Sequence, residues 1–331
     1  MSIRRRDFIT LLGGAAAAWP LVARAQQREP VRRIGVLMNT TANDPEVPMR
    51  LAVFLQGLQE LGWTVGRNVR IDYRWGEGDT TRIRNQVAEL VALMPDVILA
   101  TGGTMVGPLQ QVTRTVPIVF VNTTDPVGSG YAESLARPGG NATGFTFFEY
   151  SISGKWLELL KEIAPRVRRV AVLRDAGITS GGGQLGALQG AAPSFGVELS
   201  PVGVRSAGEI ERGISAFARG TNEGMIVTSS SFASVNRDLI VGLASRFRLP
   251  AAYPDRTYPN AGGLISYGVD TNDQFRLAAG YIDRILQGEK PADLPVQQAT
   301  KYHLVINLKT AKAFGIDIPP TLRAIADEVI D

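Results

Sequence analysis

Two doubly wound, Rossmann-like α/β domains are the fold class this 331-residue sequence predicts, on three observations. The length exceeds what one hydrophobic core usually organises. Short apolar runs alternate with helical apolar faces in two successive series, one beginning at residue 31 and one after Phe147. The stretch Pro138-Gly139-Gly140-Asn141-Ala142-Thr143-Gly144 lies near their junction, as the approach to a hinge would. A single β/α barrel would need one uninterrupted cycle of about eight strands, and this punctuation argues against it.

In the first series, Ile34 to Met38 reads as a strand, and Leu51, Phe54, Leu55, Leu58 and Leu61 as one helix face. Val69, Ile71, Tyr73 and Trp75 alternate with polar residues, the pattern of a strand with one exposed face. Ile83, Val87, Leu90, Val91 and Met94 mark the next helix. Val97 to Ala100 and Ile118 to Val121 are wholly apolar, as strands buried on both faces of a parallel sheet are. In the second series a helix carries Trp156, Leu159, Leu160 and Ile163. Strands follow at Val170 to Leu173, Val197 to Val202 and Met225 to Thr228, with helical segments between them. The remainder holds Leu264 to Tyr267, a helix through Phe275, Ala278, Ala279, Ile282, Ile285 and Leu286, and a late strand from His303 to Asn307. These surplus elements suggest a chain that returns to complete sheets already begun.

The first 25 residues form an export signal. Arg4 to Arg6 precede an apolar stretch from Phe8 to Val22, and Ala23-Arg24-Ala25 is a small-x-small cleavage pattern. That stretch of about 15 residues falls short of the roughly 20 that a membrane helix needs. Arg5-Arg6-Asp7-Phe8-Ile9 resembles the twin-arginine motif, with Arg4 where the motif favours Ser or Thr. Cleavage after Ala25 leaves a periplasmic protein, with no lipobox cysteine to anchor it.

Composition excludes several chemistries. The sequence has no cysteine and one histidine, so a disulfide framework, a thiolate zinc site and a Cys nucleophile are all ruled out, and a Ser-His-Asp triad would have to pass through His303. No metal and no cofactor are expected. The net charge of +4 sits mostly in the signal, where four arginines oppose Asp7, so no basic patch points to nucleic acid. Gly181-Gly182-Gly183-Gln184-Leu185-Gly186 matches G-x-G-x-x-G, but Asp175 to Ser180 separate it from the preceding strand and no acidic residue follows at the required distance. A flexible loop entering a helix is the better reading.

Several strands end in polar sequences: Asn39-Thr40-Thr41, Gly102-Gly103-Thr104, Asn122-Thr123-Thr124-Asp125, Arg174-Asp175 and Ser229-Ser230-Ser231. Open α/β sheets bind ligands at the carboxyl ends of their strands, so ends from both domains suggest a cleft lined for a polar molecule. For Gly102-Gly103-Thr104 two readings stand side by side: Thr104 caps the next helix, or the backbone N–H groups and the Thr hydroxyl receive an acceptor group of a ligand. Asp125, Asp175, Asp255 and Asp270 fall near strand ends, but spacing pairs no two of them. Tyr253, Tyr258 and Tyr267 read equally as core residues or as cleft residues that stack on a ring.

The export signal, the two α/β halves, Ile118-Val119-Phe120 leading into Asp125-Pro126-Val127-Gly128, and Ser134 to Gly144 together resemble the substrate-binding proteins of ABC transporters, in the tryptophan/tyrosine-binding-like group. The segments 262–268, 288–296 and 305–311 resemble the same family, so the likeness spans the mature chain. It implies a type I periplasmic binding protein fold with three crossover segments, near Phe145 to Phe148, Leu249 to Pro254 and Gly288 to Val296. The first domain would take 31–146 plus 250–290, and the second 147–249 plus 291–331.

By position in that fold, Asn39, Thr40, Gly103, Thr104, Thr123 and Asp125 are expected to bind ligand from the first domain. Phe147 and Tyr253 are expected as walls near the crossovers, with Arg174, Ser230, Asp255 and Asp270 as polar contacts from the other side. Gly103, Thr104 and Asp125 follow the family patterns most closely. No catalytic residue is expected. The resemblance implies a monomeric receptor that closes on a small polar or amphipathic ligand, of amino acid or aromatic-acid type, and presents it to a membrane permease. A periplasmic enzyme using cleft carboxylates and a ligand-sensing partner of a signalling receptor are the alternatives.

Overall fold

The computed structural model describes residues 31–147, 150 and 152–331; the export signal expected at residues 1–25 lies outside them. Among the described residues thirteen strands form two sheets. The first holds β1 (Arg32–Met38), β2 (Val69–Trp75), β3 (Val97–Thr101), β4 (Ile118–Thr123), β5 (Ala142–Thr146) and β11 (Gln297–Gln298), in the order β11-β5-β4-β3-β1-β2. The second holds β6 (Arg169–Asp175), β7 (Glu198–Val204), β8 (Glu223–Val227), β9 (Ala251–Tyr253), β10 (Ile265–Val269), β12 (Tyr302–Asn307) and β13 (Glu328–Ile330), in the order β13-β12-β10-β9-β8-β6-β7. All pairings are parallel except that of β10 with β12.

The apolar runs form strands because helices cover both of their faces. On β1, Ile34, Val36 and Met38 pack into one core and Leu37 into another, since successive side chains point to opposite faces. Helices Val47–Glu60 and Thr271–Leu286 cover the first face of the first sheet, with Phe54, Leu58, Phe275 and Ile282 inside. Gly57 lets those two helices meet, because a Cβ there would stand 2.9 Å from Ala279 Cβ. Helices Thr80–Ala92 and Gly103–Val112 cover the other face through Ile83, Val87, Met105 and Leu109. In the second sheet, helices Ile152–Ile163 and Thr179–Phe195 lie over one core, and Ala207–Phe217 and Arg237–Arg246 over the other.

Each sheet has a point where strand order reverses: between β1 and β3 in the first, and between β6 and β8 in the second. There the helices that follow leave on opposite sides and open a crevice at the strands' carboxyl ends. Close packing between β4 and β5 depends on Gly144, whose φ is +148° and whose Cβ would lie only 2.0 Å from the Phe120 carbonyl oxygen.

Four expectations need correction. Leu249 to Pro254 is no crossover: β9 pairs in parallel with both β8 and β10, inside the second sheet. The chain returns to the first domain only after β10, with helix Thr271–Leu286, and leaves it again between β11 and β12. Gly288 to Val296 therefore belongs wholly to the first domain, where Thr143 donates to the Leu294 carbonyl (2.6 Å) and the Val296 N–H to that of Leu135 (2.7 Å). The physical cause is length, because β9 has three residues and β11 two, too few to show any periodicity. Gly181 to Gly186 is not a loop but part of helix Thr179–Phe195. Finally, the cap of helix Gly103–Val112 is Gly102, not Thr104.

Candidate functional site

The carboxyl ends of the two sheets face each other across a cavity of about 90 Å³. That is several times the space one water requires. Its first-domain wall comes from the loops after β1, β3 and β4, and its second-domain wall from those after β6, β8 and β9.

Residue type sets the first wall locally. The Asn39 N–H donates to Thr101 Oγ1 (2.9 Å), and the Thr101 hydroxyl donates back to Asn39 Oδ1 (3.0 Å), so neighbouring strand ends lock each other. Gly102 follows with φ +82°, and a Cβ on it would stand 2.8 Å from Ser231 Oγ of the opposite domain. Only glycine permits that approach. No side chain caps the helix it opens, and Gly103 and Thr104 line the cavity. Thr104 Oγ1 instead reaches Ser231 Oγ across the cleft at 3.2 Å. Asn122, at φ +54°, donates its N–H to Gln274 Oε1 (2.8 Å), and Gln274 donates in turn to the Thr146 carbonyl (2.8 Å).

The opposing wall is rich in serine: Ser180, Ser229, Ser230, Ser231 and Ser234. Buried Gln184 clamps Ser229, accepting its N–H at 2.8 Å and donating to its carbonyl at 3.2 Å. Ser230 caps helix Ser231–Val235 through the Ala233 N–H (3.0 Å). Asp255 Oδ1 accepts the Thr257 N–H (2.9 Å).

Two further bonds join the domains at the cleft mouth. Arg237 Nη1 stands 3.5 Å from Asp44 Oδ2, both side chains nearly buried at 12% and 11% exposure. Burial opposes the Arg237 charge, but Asp44, Asp238 and Asp255 more than offset it and raise its pKa. Beside this pair, Asn260 donates to Glu46 Oε1 at 2.9 Å.

The predicted residues divide. Asn39, Thr40, Gly103, Thr104, Phe147, Ser230 and Asp255 all line the cavity. Asp125 stands outside the lining, at φ +45°, where it accepts the Gly128 N–H (2.8 Å) and the Tyr150 hydroxyl (2.6 Å). Burial, and then the bond to and charge of Asp125, push the Tyr150 hydroxyl far above its ordinary pKa and keep it a donor. The Tyr150 ring lies on Gly183, whose Cβ would be 2.4 Å from it, which gives one of the sequence's clustered glycines a packing role.

Four expected contacts do not reach the cavity. Thr123 is fully buried where the pairing of β4 with β5 shifts register, its hydroxyl facing the Val121 carbonyl. Tyr253 stacks on Tyr258 in the second-domain core, with ring centroids 4.8 Å apart. Arg174 pairs in register with Gly203, and its guanidinium lies over that glycine. Asp270 caps helix Thr271–Leu286 through the N–H groups of Asn272 and Asp273. His303 Nε2 lies 3.7 Å from Asp270 at the same crossover, away from the cavity. Lining residues that the sequence did not single out include Asp44, Arg50, Tyr131, Ile178 and Arg237. Arg50 and Arg237 lie within helical stretches, where nothing local separates a cleft arginine from a solvated one.

The substrate-binding protein model of ABC transporters matches residues 43–330. The chain belongs to this family. A tyrosine-binding protein of Clostridioides difficile is 24% identical over 263 residues, covering 80% of this chain and 75% of the relative. A Streptococcus pneumoniae ABC domain solved in complex with L-Trp superposes with a TM-score of 0.83 at 25% identity, over 90% of this chain and 99% of the other. A conserved domain protein of Vibrio cholerae gives a TM-score of 0.84 at 26% identity with the same coverage. An Agrobacterium vitis solute-binding protein with bound allitol, at 14% identity and a TM-score of 0.61, shares the fold. The chain is therefore a substrate-binding protein of the ABC transporter type, with the two-domain α/β fold of the periplasmic binding proteins. Proteins of this family bind small ligands for a membrane permease and work outside the cytoplasm. No described helix is long and apolar enough to cross a membrane.

Proposed function

We propose that this chain is exported to the periplasm by its twin-arginine signal, is cleaved after Ala25, and acts as a monomer. It closes its two domains on a small polar or amphipathic ligand of amino acid or aromatic-acid type. It hands that ligand unchanged to a permease. The observation that carries the reading is the position of the cavity: it lies where two strand-order reversals face each other, with walls drawn from both domains. A ligand held there contacts both walls at once only when they are together, so its binding free energy favours the closed state. Relatives that bind tyrosine or carry L-Trp support an amino acid as the cargo.

Asn39, Thr40, Gly103, Thr104, Phe147, Ser230 and Asp255 are the proposed contacts from the original set, with Asp125 acting indirectly through Tyr150. The test is a thermal-shift screen of residues 26 to 331 against amino acids, aromatic acids, nucleosides and short carboxylates. Binding to the folded form alone raises Tm by mass action. One class of hits, recovered chemically intact, is the expected result. Hits consumed during incubation would replace the receptor with an enzyme.

A further inference from the structure

The pole of the second domain that faces away from the cavity is basic. Strands β6, β8 and β9 begin there side by side, and Arg166, Arg168, Arg219, Arg246 and Arg248 are exposed in the segments that lead into them. These segments touch. The Arg168 N–H donates to the Asn222 carbonyl (2.8 Å) and the Met225 N–H to that of Pro250 (2.9 Å), and a Cβ on Gly224 would meet both Val167 and Pro250 at 3.2 Å. No carboxylate among the described residues lies within 4.0 Å of any of these five guanidinium groups, whereas neighbouring Arg169 is paired with Glu223. Burial, and then the charge of Arg168, lower the pKa of Lys161 beside them, as a like charge held close does. Glu162 and Glu198 at this edge offset only part of the charge. The chain beyond residue 25 is nearly neutral, so the excess is local. At the same edge of the first sheet, by contrast, Arg32 and Arg33 are held by Asp96 and Asp72, each at 2.9 Å.

Helix ends explain part of this. Lys161 and Arg246 lie in the last turns of helices Ile152–Ile163 and Arg237–Arg246, where a cation complements the helix dipole. That effect fades past the last turn, so it does not account for Arg166, Arg168, Arg219 or Arg248. Arg248 is also costly. It stands at φ +49° in the turn that ends helix Arg237–Arg246, where its N–H donates to the Ser245 carbonyl (3.1 Å) and the Leu249 N–H to that of Ala244 (2.9 Å). Helices Thr179–Phe195 and Leu308–Phe314 end in the same turn with Gly196 (φ +61°) and Gly315 (φ +69°), the residue that takes this conformation without strain. An arginine in that place gives up stability and keeps a charge at the pole.

We propose that this pole docks on the anionic headgroups of a lipid bilayer. The proposal rests on the receptor reading only in placing the chain at a membrane, where its family serves a permease. The arginines spread over neighbouring strands about 4.8 Å apart, so they match an array of phosphate groups and not one small anion. Each planar guanidinium offers paired N–H donors to such a group. The cavity opens at the opposite, carboxyl ends of the same strands, about 20 Å away along the seven residues of β6, so docking leaves the cleft free to load.

The test is co-sedimentation of residues 26 to 331 with vesicles of phosphatidylglycerol mixed into phosphatidylcholine, and with vesicles of phosphatidylcholine alone. The expected result is binding to the anionic vesicles only, weakened by added salt. An arginine near an anionic surface contributes about fivefold in affinity, so the triple variant Arg166→Gln, Arg168→Gln, Arg219→Gln binds about 100-fold more weakly. Arg248→Gly loses about fivefold in vesicle binding and melts higher than wild type, because it relieves the left-handed strain. No binding to anionic vesicles at low salt, equal binding to neutral ones, or undiminished binding by the triple variant overturns the proposal. A lower Tm for Arg248→Gly with vesicle binding intact makes that arginine a structural cap and has the same effect. Soluble polyphosphate that binds as tightly as the vesicles removes the bilayer as the partner. The thermal-shift hits keep their affinities in every one of these variants, so loss of vesicle binding leaves the receptor reading standing, and an absence of hits with vesicle binding kept strikes the receptor reading alone.

Discussion

Asp44→Asn isolates the free energy of closing the two domains. The substitution keeps Oδ1 as acceptor for the Glu46 N–H (3.0 Å) but removes the charge that faces Arg237 at 3.5 Å. Coulomb attraction at that distance is about 5 kcal/mol at an effective dielectric of about 20 and about 1 kcal/mol in water. The pair sits at the cleft mouth, and Arg237 retains Asp238 and Asp255, so a net loss of about 1–3 kcal/mol is expected. Because the partners belong to different domains, the loss falls on the open–closed equilibrium and not on the folding of either domain. At 1.4 kcal/mol per tenfold, the closed population relative to the open falls by about 5- to 150-fold. Ligand dissociation accelerates by a similar factor, while urea unfolding of each domain is unchanged. Stopped-flow dissociation of the strongest thermal-shift hit measures the first effect, and small-angle scattering of the ligand-free protein measures the shift toward the open form. A dissociation rate within about twofold of wild type, with the radius of gyration unmoved, would show that the pair contributes nothing to closure.

Two further outcomes are expected. Gly183→Ala puts a methyl group where the Tyr150 ring now lies, 2.4 Å away, and displaces the ring from Asp125; ligand affinity should drop about three- to tenfold, as for loss of one hydrogen bond, and an affinity equal to wild type would dissociate that tether from binding. Burial raises the pKa of Tyr73, Tyr131, Tyr150, Tyr253, Tyr258 and Tyr281, so the folded chain keeps protons that the unfolded chain releases above about pH 10. The stability these groups contribute is present below about pH 10 and lost as pH rises beyond it, so the urea midpoint should fall as pH is raised above about 10; a flat midpoint would refute the assignment.

Much of the fold was legible in the chain. Ile34 to Met38, Val97 to Ala100 and Ile118 to Val121 read as strands because both of their faces are covered, which requires continuous apolar runs. The helix face at Leu51 to Leu61 ended one residue early, with Leu61 exposed after the last turn. What escaped were the shortest strands, β9 and β11, and with them the allocation of residues 250–298 between the domains. In the site, Asn39, Thr40, Gly103 and Thr104 were legible because strand ends in parallel sheets face a crevice. Tyr253 and Thr123 were misplaced because a single strand-end residue points either to the cavity or to the core, and the local pattern does not distinguish the two.

The elements and their polarity follow from the order of residues, since apolar periodicity specifies strand and helix and parallel strands bring all their carboxyl ends to one edge. That much locates a cleft, while the likeness to the family rests on particular residues, such as Asp125 to Gly128 and Ser134 to Gly144. Which side chains meet in and around it was settled by packing between segments remote in the chain: Asp44 opposite Arg237, Thr104 against Ser231, and Tyr150 bonded to Asp125 over Gly183. Charge pairing and steric fit act through space over a few ångströms, and no local pattern in the sequence records which distant residues will come that close.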